Sequence, residues 1–282
     1  MRRRTGRIKR VPKILLGIAV VGVVGYIWLS RPHPIPPTQE VAAGPRSKIH
    51  RASIAHQRVF TPKGSPYPTA ASALPTSYLI RVPAKDQYPQ LPNGCEVTSL
   101  AMLMTAVGHP VSKMTLAHEM PVDPTKLVLT SYTTSNGQVV HKVQYWGNPN
   151  VGFVGSVYQA GYGYGIYNGP MARFLNRLLP GRAENLTDQP FSASLRQVAE
   201  GIPVEAWTTT TFQPTTDWVT WRSPEGLVHA TPWEHAVLIV GYAPGYLYIN
   251  NPLNGEAAQK VAEAPFIEAW KQLGEQALTV KK

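Results

Sequence analysis

Apolar residues recur at helical spacing in the stretch that follows a turn made by Pro92, Asn93 and Gly94. The positions i, i+3, i+4 and i+7 are occupied by Leu100, Leu103, Met104 and Val107. One face of an α-helix has this spacing, so the pattern predicts a helix that begins at Cys95.

Apolar runs further along the chain predict β-strands, and helical spacing separates them. The predicted strands are Tyr78–Pro83, Val204–Thr209, Ala236–Tyr242, Tyr246–Asn250 and Ala277–Val280. The predicted later helices are Val111–Met120, Pro170–Leu179, Ser192–Glu200 and Ala264–Leu273. Residues 121–168, where Pro, Asn, Gly and aromatic residues dominate, are predicted to be irregular. Helices around the cysteine followed by an antiparallel sheet indicate an α+β fold.

The longest apolar run lies near the N-terminus, between a basic cluster and Arg31. Residues 14–30 are uncharged and long enough to predict a transmembrane anchor. Residues 1–13 are rich in Arg and Lys, which places them in the cytoplasm and the rest of the chain outside. A cleaved signal peptide is the alternative, but no small-residue cleavage site closely follows the run. We therefore expect a single-pass membrane protein with an exported domain.

Residues 31–76 contain nine of the 27 prolines and no sustained apolar periodicity. Such a segment cannot bury enough apolar surface to offset its ordering entropy, so it is predicted to be an extended tether. The folded domain is accordingly predicted to span residues 77–282.

The net charge of +11 is concentrated at the N-terminus. The first 50 residues hold ten of the 27 basic groups and one of the 16 acidic groups, so the remainder is nearly neutral. This distribution fits a membrane partner and argues against nucleic acid. No cluster of His, Cys and carboxylates has metal-ligand spacing in the sequence, so neither a metal nor a cofactor is expected.

The lone cysteine has a candidate partner in the second half of the chain. A thiol at a helix N-terminus is favoured as thiolate, the nucleophilic form. His235 begins the strongest predicted strand, and the hairpin turn at residues 243–245 returns Asn250 or Asn251 to its vicinity. A cysteine hydrolase needs such a base and a polar group to orient it. His229, just before the strand, is the rival histidine.

Three segments of the chain carry a family resemblance: Gln87-Tyr88-Pro89-Gln90-Leu91-Pro92-Asn93-Gly94-Cys95-Glu96-Val97-Thr98-Ser99-Leu100, His235-Ala236-Val237-Leu238-Ile239-Val240-Gly241-Tyr242 and Asn251-Pro252-Leu253-Asn254-Gly255. Together they resemble the C39-like family of papain-fold cysteine peptidases, in its stand-alone exported branch from Gram-positive bacteria. The resemblance covers residues 78–282 and implies a papain-like fold.

The resemblance also implies roles for particular residues. Cys95 would be the nucleophile, His235 the general base and acid, and Asn251 the orienting residue, at a position where the family usually has Asp. Gln87, or else Gln90, would supply an oxyanion donor. Glu96 is expected to act on the helix N-terminus rather than in the chemistry.

The expected partner is a peptide or protein substrate, or cell-wall material. Two other functions stay open at this point. The domain could be a catalytically silent papain-like module that binds peptide or cell wall, or an amidase or transpeptidase that acts on cell-wall peptides. Four tryptophans lie near His235 in sequence and could line a peptide groove or pack in the core: Trp207, Trp218, Trp221 and Trp233.

Overall fold

The computed structural model describes residues 74–282. The predicted cytoplasmic segment 1–13 and anchor 14–30 lie outside these residues, as does nearly all of the predicted tether 31–76. Among the described residues, no helix combines the length and the apolarity that a membrane crossing requires.

Five helices and thirteen strands are found within residues 74–282. The helices are α1 (Cys95–Ala106), α2 (Lys113–Glu119), α3 (Asn168–Leu178), α4 (Phe191–Ala199) and α5 (Glu263–Gln272). The strands before α4 are β1 (Tyr78–Leu79), β2 (Val122–Asp123), β3 (Val128–Thr133), β4 (Val139–Tyr145), β5 (Phe153–Val154) and β6 (Ala183–Asn185). Those after it are β7 (Val204–Thr209), β8 (Val219–Ser223), β9 (Gly226–Ala230), β10 (Glu234–Ala243), β11 (Tyr246–Asn251), β12 (Glu256–Ala262) and β13 (Ala277–Val280).

The main sheet is antiparallel and is built around β10. Its strand order is β12-β11-β10-β7-β13-β6. The short strand β1 pairs with the C-terminal end of β10, after the residues of β10 that pair with β7. This arrangement confirms the predicted α+β fold with an antiparallel sheet.

Strand β10 is buried on both faces, which explains its continuous apolar sequence. Successive side chains of a strand point to opposite faces. Ala236, Leu238 and Val240 belong to the core that contains α1 and α3. Val237 and Ile239 belong to the core beneath α4 and α5. The sheet therefore lies between two helical layers.

The predicted helices are all present, with ends within two residues of the expected positions. The strands Val204–Thr209 and Ala277–Val280 are also present as predicted. The predicted hairpin after residue 242 is confirmed as well, because β10 and β11 pair antiparallel and only Pro244 and Gly245 separate them. The predicted strand Tyr78–Pro83 is shorter, since only its first two residues pair with β10.

The prediction that residues 121–168 are irregular is wrong. This region contains β2 to β5, and β3 and β4 join β8 and β9 in a second sheet. All six residues of β3 are exposed, so this strand has no alternation of buried and exposed positions to reveal it. Strands β6, β8, β9 and β12 were not predicted either, for they are short or largely exposed.

Candidate active site

The N-terminus of α1 is fixed by the turn that precedes it. Gly94 is the N-cap residue, and a Cβ at this position would lie 2.5 Å from the Cβ of Leu91. Only glycine allows this close approach. The side-chain amide of Asn93 donates to the carbonyls of Ser156 and Gln159 at 2.7 and 2.8 Å. Cys95 is thereby held as the first residue of α1, as predicted.

The sulfur of Cys95 lies between α1 and the beginning of β10. It donates to Oε2 of Glu96 at 3.3 Å, and the backbone N–H of Ala236 donates to it. The hydroxyl of Ser99 donates to the Ala236 carbonyl at 3.2 Å and ties the helix to the strand. The thiol is thus adjacent in space to the residue that follows His235.

The environment of the thiol corrects the expectation that the helix start favours thiolate. Burial raises the pKa of Cys95 well above its usual value, and the charges of Glu96 and Glu234 raise it further. The Ala236 N–H lowers it, but with less effect. Desolvation outweighs the helix dipole because the side chain is only 7 % exposed. The resting form of the site is therefore the neutral thiol.

Glu96 is a buried carboxyl group held in a defined orientation. Its Oε1 accepts from the backbone N–H of Ile166 at 2.8 Å, and its Oε2 faces the thiol of Cys95. Burial raises the pKa of Glu96 to about 7, although its hydrogen bonds oppose this. The structure thus gives Glu96 a direct contact with the thiol that the sequence did not suggest.

His235 and Asn251 are in direct contact. Nε2 of His235 lies 2.9 Å from Oδ1 of Asn251, and both residues are buried. A β-bulge near the end of β11 lies between the register positions of Ile249 and Asn251. The neighbouring Asn250 makes different contacts, donating to the Val82 carbonyl and accepting from the Ala258 N–H. Asn251 is therefore the amide that the hairpin brings to the histidine.

The contacts of Asn251 fix the tautomer of His235. Oδ1 of Asn251 also accepts from the backbone N–H of Leu253 at 3.0 Å, and its Nδ2 donates to Gln259 at 2.8 Å. Because Oδ1 can only accept, Nε2 of His235 carries the proton and Nδ1 is the basic nitrogen. Burial lowers the pKa of His235 to about 4, which the bond to Asn251 only partly offsets.

Gln87 and Gln90 occupy different environments. Gln87 is 3 % exposed, and its Nε2 donates one hydrogen to the Pro92 carbonyl at 2.9 Å, which leaves the second hydrogen available. Gln90 lies in the turn before α1 and is exposed. The rival histidine, His229, is exposed on β9, where its ring stacks on Trp218 at 4.7 Å.

The structure adds one site residue that the sequence analysis missed, Glu234 at the start of β10. Its side chain is buried, and one ligand atom each from Cys95, Glu96 and Glu234 lie within 4.8 Å of one another. A glutamate that flanks an apolar strand usually indicates a solvated strand end, so no sequence signal marked it. Among the tryptophans, Trp207 and Trp221 are buried, whereas Trp218 and Trp233 are half-buried.

Comparisons with known proteins agree with one another. The model of the Peptidase C39 like family matches residues 79–278. The uncharacterized protein YvpB of Bacillus subtilis (strain 168) is 37% identical over 194 residues, which cover 69% of this chain and 71% of that protein. A crystal structure from Bacillus anthracis described as a C39-like peptidase superposes with a TM-score of 0.63 at 35% identity. It covers 73% of this chain and 98% of the other.

Proposed function

The chain belongs to the C39-like peptidase family, and we propose that it is a cysteine peptidase that hydrolyses peptide bonds through Cys95, His235 and Asn251. The observation that carries this proposal is the buried contact between His235 and Asn251, which leaves one ring nitrogen basic. A peptidase needs such an oriented base for its nucleophile.

In the proposed reaction, Nδ1 of His235 accepts the thiol proton as the sulfur of Cys95 attacks the peptide carbonyl carbon. The carbonyl π electrons move to oxygen, and the oxyanion receives hydrogen bonds from the Cys95 backbone N–H and from Nε2 of Gln87. Collapse of this intermediate breaks the C–N bond, and the imidazolium returns its proton to the leaving amine. Water then hydrolyses the thioester with His235 again acting as base, which restores the thiol.

Asn251 is proposed to hold the imidazole in the productive tautomer throughout this cycle. Its neutral amide stabilises an imidazolium less than a carboxylate would, which agrees with the low pKa of His235. Proton transfer from thiol to imidazole is therefore expected to accompany substrate attack rather than to precede it.

We also propose that the peptidase works outside the cytoplasm, anchored by residues 14–30, on peptides or proteins at the cell surface. The support for this location is the apolar run that follows the basic cluster of residues 1–13 at the N-terminus.

Peptide cleavage by the full-length chain tests the proposed function. A mixture of synthetic peptides of varied sequence would be incubated with the protein, and new termini would be identified by mass spectrometry. We expect cleavage that Cys95→Ser and His235→Ala abolish and that His118→Ala, a change at an exposed histidine on α2, leaves intact. Cleavage that persists in Cys95→Ser, or a complete lack of cleavage by the unaltered chain, would contradict the proposal.

A further inference from the structure

We infer that Cys95, Glu96 and Glu234 form a binding site for a thiophilic divalent cation of the zinc type. One ligand atom from each residue lies within 4.8 Å of the other two. Zn²⁺ binds cysteine sulfur at about 2.3 Å and carboxylate oxygen at about 2.0–2.2 Å, so its ligands in a tetrahedral site are about 3.5 Å apart. Side-chain movements of roughly 1 Å would bring these three groups to that separation.

The carboxylate of Glu234 is the observation that points to a ligand. The residue is only 6 % exposed, and its Oε1 is buried with no hydrogen-bond partner among the described residues. No lysine or arginine of residues 74–282 forms an ion pair with Glu96 or Glu234. A buried carboxyl group without a hydrogen-bond partner is costly, and a divalent cation that displaces its proton would supply the missing contact.

The backbone brings the two carboxylates together at one point. A Cβ on Gly165 would lie 2.5 Å from Oε1 of Glu96 and 3.0 Å from Oε2 of Glu234. Both carboxylates therefore converge on the same glycine, beside the thiol. The Ile166 N–H holds Oε1 of Glu96 in place, so Oε2 is the oxygen available to a cation. Such support of a ligand by a second hydrogen bond is usual at metal sites.

The ligand set selects the kind of cation. A thiolate ligand favours zinc-type metals over Mg²⁺ and Ca²⁺, which prefer all-oxygen sites. Three anionic groups from the protein leave a fourth position for water. Because metal binding engages the thiolate lone pairs, the bound cation would block nucleophilic attack. This regulatory consequence rests on the proposed peptidase function, whereas the binding itself does not.

Zinc binding and thiol protection test the site without any peptide substrate. ZnCl₂ would be titrated into the full-length chain by calorimetry, and alkylation of Cys95 by iodoacetamide would be timed with and without the metal. We expect one Zn²⁺ per chain, alkylation slowed at least 10-fold, and no such protection by Mg²⁺. In Glu234→Gln the zinc affinity should fall at least 10-fold, and in Glu268→Gln, at an exposed glutamate of α5, it should not change.

Two further measurements identify the ligands. The inferred site does not include His235, so His235→Ala should bind zinc as tightly as the unaltered chain. If His235→Ala loses as much zinc affinity as Glu234→Gln, the inferred site is overturned in favour of one formed by Cys95 and His235. Co²⁺ bound to the thiolate should give a charge-transfer absorption band, and Cys95→Ser should abolish it. This measurement does not depend on whether the glutamate variants fold. Absence of both protection and the band would overturn the inference. A chain that binds zinc but cleaves no peptide would refute only the proposed function.

Discussion

The thiol of Cys95 donates a hydrogen bond to its own neighbour in the chain, Glu96, with 3.3 Å between Sγ and Oε2. The carboxylate charge raises the pKa of the thiol. Glu96→Gln removes that charge at nearly constant shape, so the pKa of Cys95 should fall and the thiol should be alkylated faster at pH 7.5, because more of it is then thiolate. Timed iodoacetamide labelling measures this, with Glu263→Gln in the first turn of α5 as the matched control. An unchanged or slower rate would show that the carboxyl group is neutral beside the thiol.

The contact between His235 and Asn251 predicts how substitutions at Asn251 behave. Asn251→Ala removes the acceptor that selects the tautomer of His235, so kcat/KM for peptide hydrolysis should fall on the order of 10²-fold. Asn251→Asp keeps an acceptor at this position and should retain most of the activity. Steady-state kinetics measure both, with Asn136→Ala in the exposed β3–β4 turn as control. Equal losses in the Ala and Asp variants would contradict an orienting role.

Gln87 and Gln90 can be separated by comparing two reactions of the same thiol. An oxyanion donor acts on a tetrahedral intermediate and has no part in alkylation by iodoacetamide. Gln87→Ala should lower kcat for peptide hydrolysis by about 10²- to 10³-fold and change the alkylation rate by less than about 3-fold. Gln90→Ala, at an exposed position, is the matched control. The reverse result would assign the donor to Gln90.

The buried side chain of Glu205 is expected to make the stability of the folded chain depend on pH. It lies on β7 with no exposed surface, and neither carboxylate oxygen has a hydrogen-bond partner among the described residues. Burial raises the pKa of Glu205 well above its usual value, and the charge of Glu96 raises it further. The folded chain therefore keeps a proton that the unfolded chain loses above about pH 4.3, so this residue lowers stability as the pH rises.

Glu205→Gln should remove this pH-dependent loss. We expect it to raise the free energy of unfolding by about 1–3 kcal/mol at pH 8 and to change it little at pH 4. Thermal or urea unfolding of the full-length chain at both pH values measures the difference. Glu119→Gln, at an exposed residue of α2, is the control. A variant that is equally or more strongly destabilised at pH 8 than at pH 4 would contradict the prediction.

The elements that sequence reasoning predicted are those that bury a regular apolar pattern. The apolar run Ala236–Tyr242 predicted the central strand because β10 is buried on both faces. Strand β3 was not predicted because all of its residues are exposed. A strand with no buried side has no need for alternating apolar and polar residues. The hairpin turn narrowed the orienting residue to Asn250 or Asn251, the family resemblance favoured Asn251, and Asn251 is the one that contacts His235 in the structure.

The chemistry around Cys95 was harder to predict than the fold. The helix dipole is a local effect that the sequence reveals, whereas desolvation depends on everything that packs on the thiol. Glu234 lies far from Cys95 in sequence, and only the contact between α1 and β10 brings the two together. The burial of ionisable groups that are distant in sequence is thus the part of this site that a local sequence pattern cannot predict.

The order of elements along the chain bears on how the domain is made in the cell. Cys95 leaves the ribosome 140 residues before His235, and Asn251 follows later still. Strand β13, which fills the gap between β7 and β6, emerges after all of them. A chain that ends before residue 235 carries the thiol without His235, the proposed base, and a chain that ends before β13 has an incomplete sheet. Under the proposed function, the site is complete only after synthesis has passed residue 280, and fragments that end earlier are expected to be inert.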